Sequence, residues 1–149
     1  MARSRAQRLA PVIDMAERAE RDAIHHLARC QGLVAQAEVQ LGELERYRSD
    51  YQQQWIQQGS QGVSGQWLMN YQRFLSQLET AIGQQHQSLE WHRMNLTKAQ
   101  SAWQHCHARV EGLRKLVQRY LDEARAAEDR REQKLLDELA QRPAPRGDE

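Results

Sequence analysis

His26 and Cys30 stand four residues apart, and a His-Cys-His run occupies positions 105–107. Thiolate and imidazole are the ligands that zinc prefers. On a helix, residues i and i+4 share a face, so His26 and Cys30 could address one ion, with His92 as a third ligand if the chain brings it opposite Cys30. His105, Cys106 and His107 cannot converge in the same way, because residues one and two apart point to different sides of a helix. A polar layer in a coiled coil has a simpler use in fixing register. We adopt that reading, with no metal and no cofactor. No phosphate-binding GxxxxGK[ST] loop, HExxH, CxxC or Ser–His–acid setting is present. The sequence offers no catalytic residue, and the chain is read as a non-enzyme.

The remaining chemistry is that of contact. Trp67, Phe74 and Ala81 are spaced by seven, and Leu78 and Gln85 continue the same flank. A second group, Leu116, Tyr120 and Leu121, lies near the far end of the chain. Both are read as partner-binding surfaces, and their partners depend on the elements that carry them.

The composition points to long helices. Of 149 residues one is Phe, and 21 basic and 20 acidic residues leave a net charge of +1. Mean hydropathy is −0.90. There is apolar material for a narrow seam and too little for a thick core. The interspersed charge is that of a solvated helical surface and not of a nucleic-acid footprint. No apolar region follows the basic N-terminus, and no run approaches the roughly 18 apolar residues of a membrane span, so the protein is expected in the cytoplasm. Cys30 and Cys106 fit a reducing compartment and supply no disulfide framework.

From Trp55 back to Leu9, every step along the seam is alternately four or three residues, and only Arg48 and Glu20 are not apolar. From Leu68 forward to Ala127 the same alternation holds, with Gln85 and His92 as the exceptions. A sustained 3.5-residue period is the mark of a left-handed coiled-coil seam. Between the two seams, "QQGSQGVSGQW" at 57–67 contains three glycines. Glycine tolerates positive φ and costs about 1 kcal/mol inside a helix, so the stretch reads as a stop, with Ser64 capping the second helix.

A loop this short makes the helices antiparallel neighbours. The expected fold is all-α, a long antiparallel two-helix coiled coil, or helical hairpin, forming a single domain over 1–149. Helix one is expected over about 11–57, the glycine-rich turn over 58–65, helix two over about 66–141 and a frayed tail over 142–149. Pro11 suits a first helical turn. Ser4 and Gln7 offer a rival capping box and an earlier start, with a kink at Pro11. Folded about the turn, the register sets Trp55 by Leu68, Leu44 by Leu78 and Cys30 by His92. Helix one is then spent opposite residue 113, and helix two overhangs it by about 28 residues, roughly 42 Å. Tyr120 falls on that uncovered seam, and Leu116 and Leu121 flank it. With Leu68 and Tyr71 as core positions, Phe74 is expected half exposed on the flank and Trp91 faces away from the seam.

The tip, "GVSGQWLMNYQRFLSQLETAI", and the distal stretch "QRYLDEARAAEDRREQKLLDEL" resemble the FliJ family of the bacterial flagellar type III export apparatus. The glycine break followed by W-x-x-N-Y-x-x-F carries most of the likeness, which spans nearly the whole chain. The resemblance implies a rotor-like stalk that binds and activates the hexameric export ATPase. It also implies contact with the membrane export gate FlhA, handling of export chaperones, and a place at the cytoplasmic face of the inner membrane. The family's gate-binding pattern F-x-x-x-L-x-x-A-x-x-x-H falls on Phe74, Leu78, Ala81 and Gln85, with Gln in place of the last His, and Trp67 extends that flank. Leu116, Tyr120 and Leu121 would then seat in the ATPase ring. The alternative is a secretion chaperone or generic coiled-coil adaptor holding a disordered client.

Overall fold

The computed structural model describes residues 3–143 and consists of two helices, α1 (Arg5–Gly59) and α2 (Gly65–Gln141). They form a helical hairpin. Interhelical contacts run in opposite senses along the two helices: Trp55 meets Trp67, Tyr51 meets Tyr71, and Gln85 reaches Ala37. The packing falls into two compact units. One spans residues 21–105, and the other joins the chain up to Glu20 with the chain from Cys106 onward.

The turn between the helices is tight. Gln61 N–H donates to the Gln58 carbonyl and Gly62 N–H to the Gly59 carbonyl, each at 3.2 Å. Of the three glycines, only Gly62 has positive φ, at 93°, a conformation that a Cβ would disfavour. Gly59 and Gly65 lie inside the helix ends. Ser64 caps α2: its Oγ accepts the Trp67 N–H at 3.2 Å.

At the other end α1 begins at Arg5, six residues before the expected start at Pro11. The capping box decides this. Ser4 N–H donates to Gln7 Oε1 and Gln7 N–H to Ser4 Oγ, both at 3.1 Å. These two bonds satisfy donors that a helix start otherwise leaves unpaired. Pro11 is accommodated within the helix at the loss of one backbone bond. Arg142 and Pro143 close the described chain, and the rest of the expected tail lies outside the described residues.

The core is thin and follows the four–three pattern. In the unit of residues 21–105, Val34, Ala37 and Leu41 of α1 bury against Leu78, Ile82 and Leu89 of α2, with Leu44, Phe74 and Leu96 packed around them. In the other unit, Ala16 and Val110 are buried, Val110 completely. Every buried apolar residue among those described stands on the seam read from the sequence. Two of the four polar interruptions, Gln85 and Glu20, are paired across the interface. Gln85 donates to the Ala37 carbonyl at 3.3 Å and to Gln40 at 3.2 Å, and Glu20 meets His107 at 2.8 Å. Burying a polar group without such a partner would be costly.

Gly42 and Gly83 sit on solvated helix faces, where an added Cβ would meet nothing within 4 Å. Ala at either position is expected to stabilise the protein by about 0.5–1 kcal/mol through helix propensity alone. Thermal or denaturant melts of each variant check this, and a loss of stability would show that these faces are covered in solution.

Candidate functional site

The tip flank lies within the unit of residues 21–105. Tyr47, Tyr51 and Trp55 recur every four residues along α1 and so share one face. They interleave with Trp67, Tyr71 and Phe74 of α2. Ring centroids are 4.0 Å apart for Trp55–Trp67, 4.9 Å for Trp55–Tyr71, 4.4 Å for Tyr51–Phe74 and 6.1 Å for Tyr47–Phe74. Six of the chain's nine aromatic residues thus stack into one ladder beside the turn. Such pairs contribute about 0.5–1.5 kcal/mol each beyond the area they bury.

The ladder keeps the expected register but changes which side chain packs on Trp55. Leu68, expected opposite Trp55, is exposed, and Trp67 takes its place. Near a hairpin turn a side chain has packing on one side only, and the larger indole covers more of Trp55 than a leucine can. Phe74 is half-buried, as its flank position suggests, but its ring turns inward onto Tyr51. Leu78 is a core residue and Ala81 is half-buried. Gln85 is half-buried and spends its amide on α1. The outward-facing aromatic of the flank is Tyr47, beside a shallow groove that also includes Gln40, Leu44 and Gln85. Sequence reasoning passed over Tyr47, although its four-residue spacing from Tyr51 and Trp55 was a usable signal.

Burial among the rings raises the Tyr51 phenol above its ordinary pKa of 10.0. The folded state therefore holds that proton more tightly than the unfolded chain does. Stability is expected to fall as pH rises through 10, and Tyr51→Phe should remove that part of the alkaline loss in melts across this range.

The distal surface belongs to the other unit. The early start of α1 covers part of it: the Arg5 guanidinium stands 5.5 Å from the centre of the Tyr120 ring. Ser4, Arg5 and Ala6 face Tyr120, Leu121, Ala124 and Ala127 across a groove. The expectation that α1 is spent opposite residue 113 is thus corrected, because the capping box carries the helix further. Leu116 and Tyr120 are half-buried, and Leu121 is 49% exposed. Beyond Ala127 every described residue of α2 is exposed, a stretch of roughly 20 Å. It carries Leu135, Leu136 and Leu139, exposed by 59%, 60% and 53%. These three stand off the seam register, which explains why four–three counting did not find them.

His26 Nε2 and Cys30 Sγ are 3.7 Å apart, and His92 lines the same depression. Among the described residues no group of three or more His, Cys, Asp or Glu side chains could hold a metal ion. Both cysteines are free thiols. No helix among the described residues is long and apolar enough to cross a membrane.

The protein-family model described as "Flagellar FliJ protein" matches residues 5–148. The Flagellar FliJ protein of Escherichia coli (strain K12) is 34% identical over 138 residues, covering 93% of this chain and 94% of that protein. The Flagellar FliJ protein of Salmonella typhi is 32% identical over 133 residues, covering 89% and 90%. With a match along nearly its whole length, carried by a hairpin whose tip holds the motif that suggested it, this chain belongs to the flagellar FliJ family.

Proposed function

We propose that this chain is a non-enzymatic component of the flagellar type III export apparatus. In this reading it works as a rotor-like stalk that binds and activates the hexameric export ATPase at the cytoplasmic face of the inner membrane. Its family is named for a flagellar protein and for no reaction. The observation that carries the stalk reading is the distal end of α2, which runs beyond α1 and presents Leu121, Leu135, Leu136 and Leu139 to solvent. Leucines held this open gain by burial in a partner, at roughly 25 cal/mol per Å² of apolar surface removed from water. Leu116, Tyr120 and Leu121 form the near edge of that surface.

The tip flank is the proposed contact with the export gate FlhA, through Phe74, Leu78, Ala81 and Gln85 with Trp67 beside them. The aromatic ladder supports it, since stacked rings form a rigid platform that loses little entropy on binding. Export chaperones complete the set of proposed partners.

The test is addition of the purified chain to the purified export ATPase. A stalk raises turnover when present below one copy per ATPase subunit. A chaperone or adaptor for disordered clients leaves turnover unchanged, and that result would replace the stalk reading with the adaptor one.

A further inference from the structure

We infer that the flank formed by Leu33 and Trp91 is a docking site for an acidic amphipathic segment of another protein, one that presents a bulky apolar side chain among carboxylates. This surface lies in the unit of residues 21–105, apart from both surfaces assigned above and independent of the stalk reading.

A shallow depression opens here between the helices. Its floor holds Cys30, which is 5% exposed, and its walls are Leu33 and Trp91, exposed by 44% and 60%. The Trp91 ring meets His92 edge-on at 5.2 Å, which limits how the indole can swing. Lys98 stands on the rim with His26. An indole this open beside an open leucine gains little from the fold of the hairpin. Aromatic anchors of this kind dominate the energy of protein contacts.

The charge around the depression selects the partner. The chain carries 20 acidic residues, yet residues 23–37 of α1 and 91–105 of α2, which frame this surface, contain none. They do contain Arg29, Arg93 and Lys98, with His25, His26, His92 and His105. Arg93 is committed to Glu38 and Glu90, at 3.4 and 3.1 Å. No ion pair to Arg29 or Lys98 occurs among the described residues, and Arg29 lies one helical turn from both His26 and Leu33. The result is an apolar trough with a positive rim in a chain of nearly balanced charge, which steers toward carboxylates and repels a basic competitor. Two uncommitted cations are too few for the multiple phosphate contacts of nucleic-acid binding. A second copy docking through the same face would set positive rim against positive rim.

The experiment uses the full chain and two synthetic fluorescein-labelled helical peptides with identical leucine and phenylalanine positions. One carries Glu and the other Lys at its remaining positions, and binding is followed by fluorescence anisotropy. The Glu peptide is expected to bind at least tenfold more tightly than the Lys peptide. Trp91→Ala should weaken it at least tenfold, and Arg29→Glu combined with Lys98→Glu should reverse the preference. All of these side chains lie outside the buried core, so circular dichroism melts of the variants should stay close to the parent. Equal binding of the two peptides, no binding of either, or binding indifferent to Trp91→Ala overturns the inference. So does sedimentation showing a dimer that Trp91→Ala dissociates, which would make a second copy the occupant.

Discussion

Leu78→Ala should destabilise the fold by about 2–4 kcal/mol, whereas Phe74→Ala should cost less stability and weaken gate binding as well. Leu78 is 7% exposed in a core only two helices thick, where Val34, Ala37 and Leu41 face Ile82 and Leu89. Truncating a buried leucine removes its transfer free energy and leaves a cavity that the neighbours fill only in part. Phe74 is half-buried and loses its contacts to Tyr51 at 4.4 Å and Tyr47 at 6.1 Å. Its removal should therefore cost about 1–3 kcal/mol of stability, below the loss at a fully buried site. If Phe74 anchors the gate, the same change should also weaken that contact by about 2 kcal/mol, roughly thirtyfold. Gln85→Ala is the comparison. Its amide already bonds to α1, so it should cost about 0.5–1.5 kcal/mol in stability and less than Phe74→Ala in binding. Titration against the cytoplasmic part of the gate, at a temperature where each variant is still folded, separates the two effects. A Phe74→Ala protein that melts early yet binds normally would make Phe74 a seam residue and remove the flank as the gate site.

The second large effect belongs to the distal end. Replacing Leu135, Leu136 and Leu139 together by Ala should raise the concentration needed for half-maximal ATPase activation by more than about tenfold. Melting should change little, because all three side chains are more than half exposed and alanine is the better helix former. Tyr120→Ala should behave otherwise. Its ring lies under the Arg5 guanidinium, so its loss should loosen the start of α1 as well as weaken the ring contact. Activation assays paired with melts distinguish the cases. A triple variant that melts early would mean these leucines are covered in the free protein, and one that activates normally would place the ATPase contact elsewhere.

The helical hairpin was legible because its signal is periodic and long. A 3.5-residue repeat over dozens of residues calls for a coiled-coil seam, and a short glycine-rich stretch between two such repeats makes them antiparallel neighbours. Counting alone therefore marks every buried apolar residue among those described. The tip motif likewise points to the family without any knowledge of contacts.

Three features were settled only by the structure. The start of α1 was a contest between Pro11 and the Ser4–Gln7 capping box, and two reciprocal hydrogen bonds settled it. That result in turn placed Arg5 over Tyr120 and moved the uncovered part of α2 further along. At the tip, periodicity could say which positions border the seam but not which ring would fill it. Trp67 displaced Leu68 because side-chain volume, not spacing, governs packing where a seam ends. The juxtaposition of Leu33 and Trp91 was equally hidden, since both stand off the repeat and line one depression only when two helices are set side by side. Period is a property of the backbone and can be read along one chain. Which side chains share a surface across two helices is a property of their volumes and of where each helix begins, and only the folded hairpin decides it.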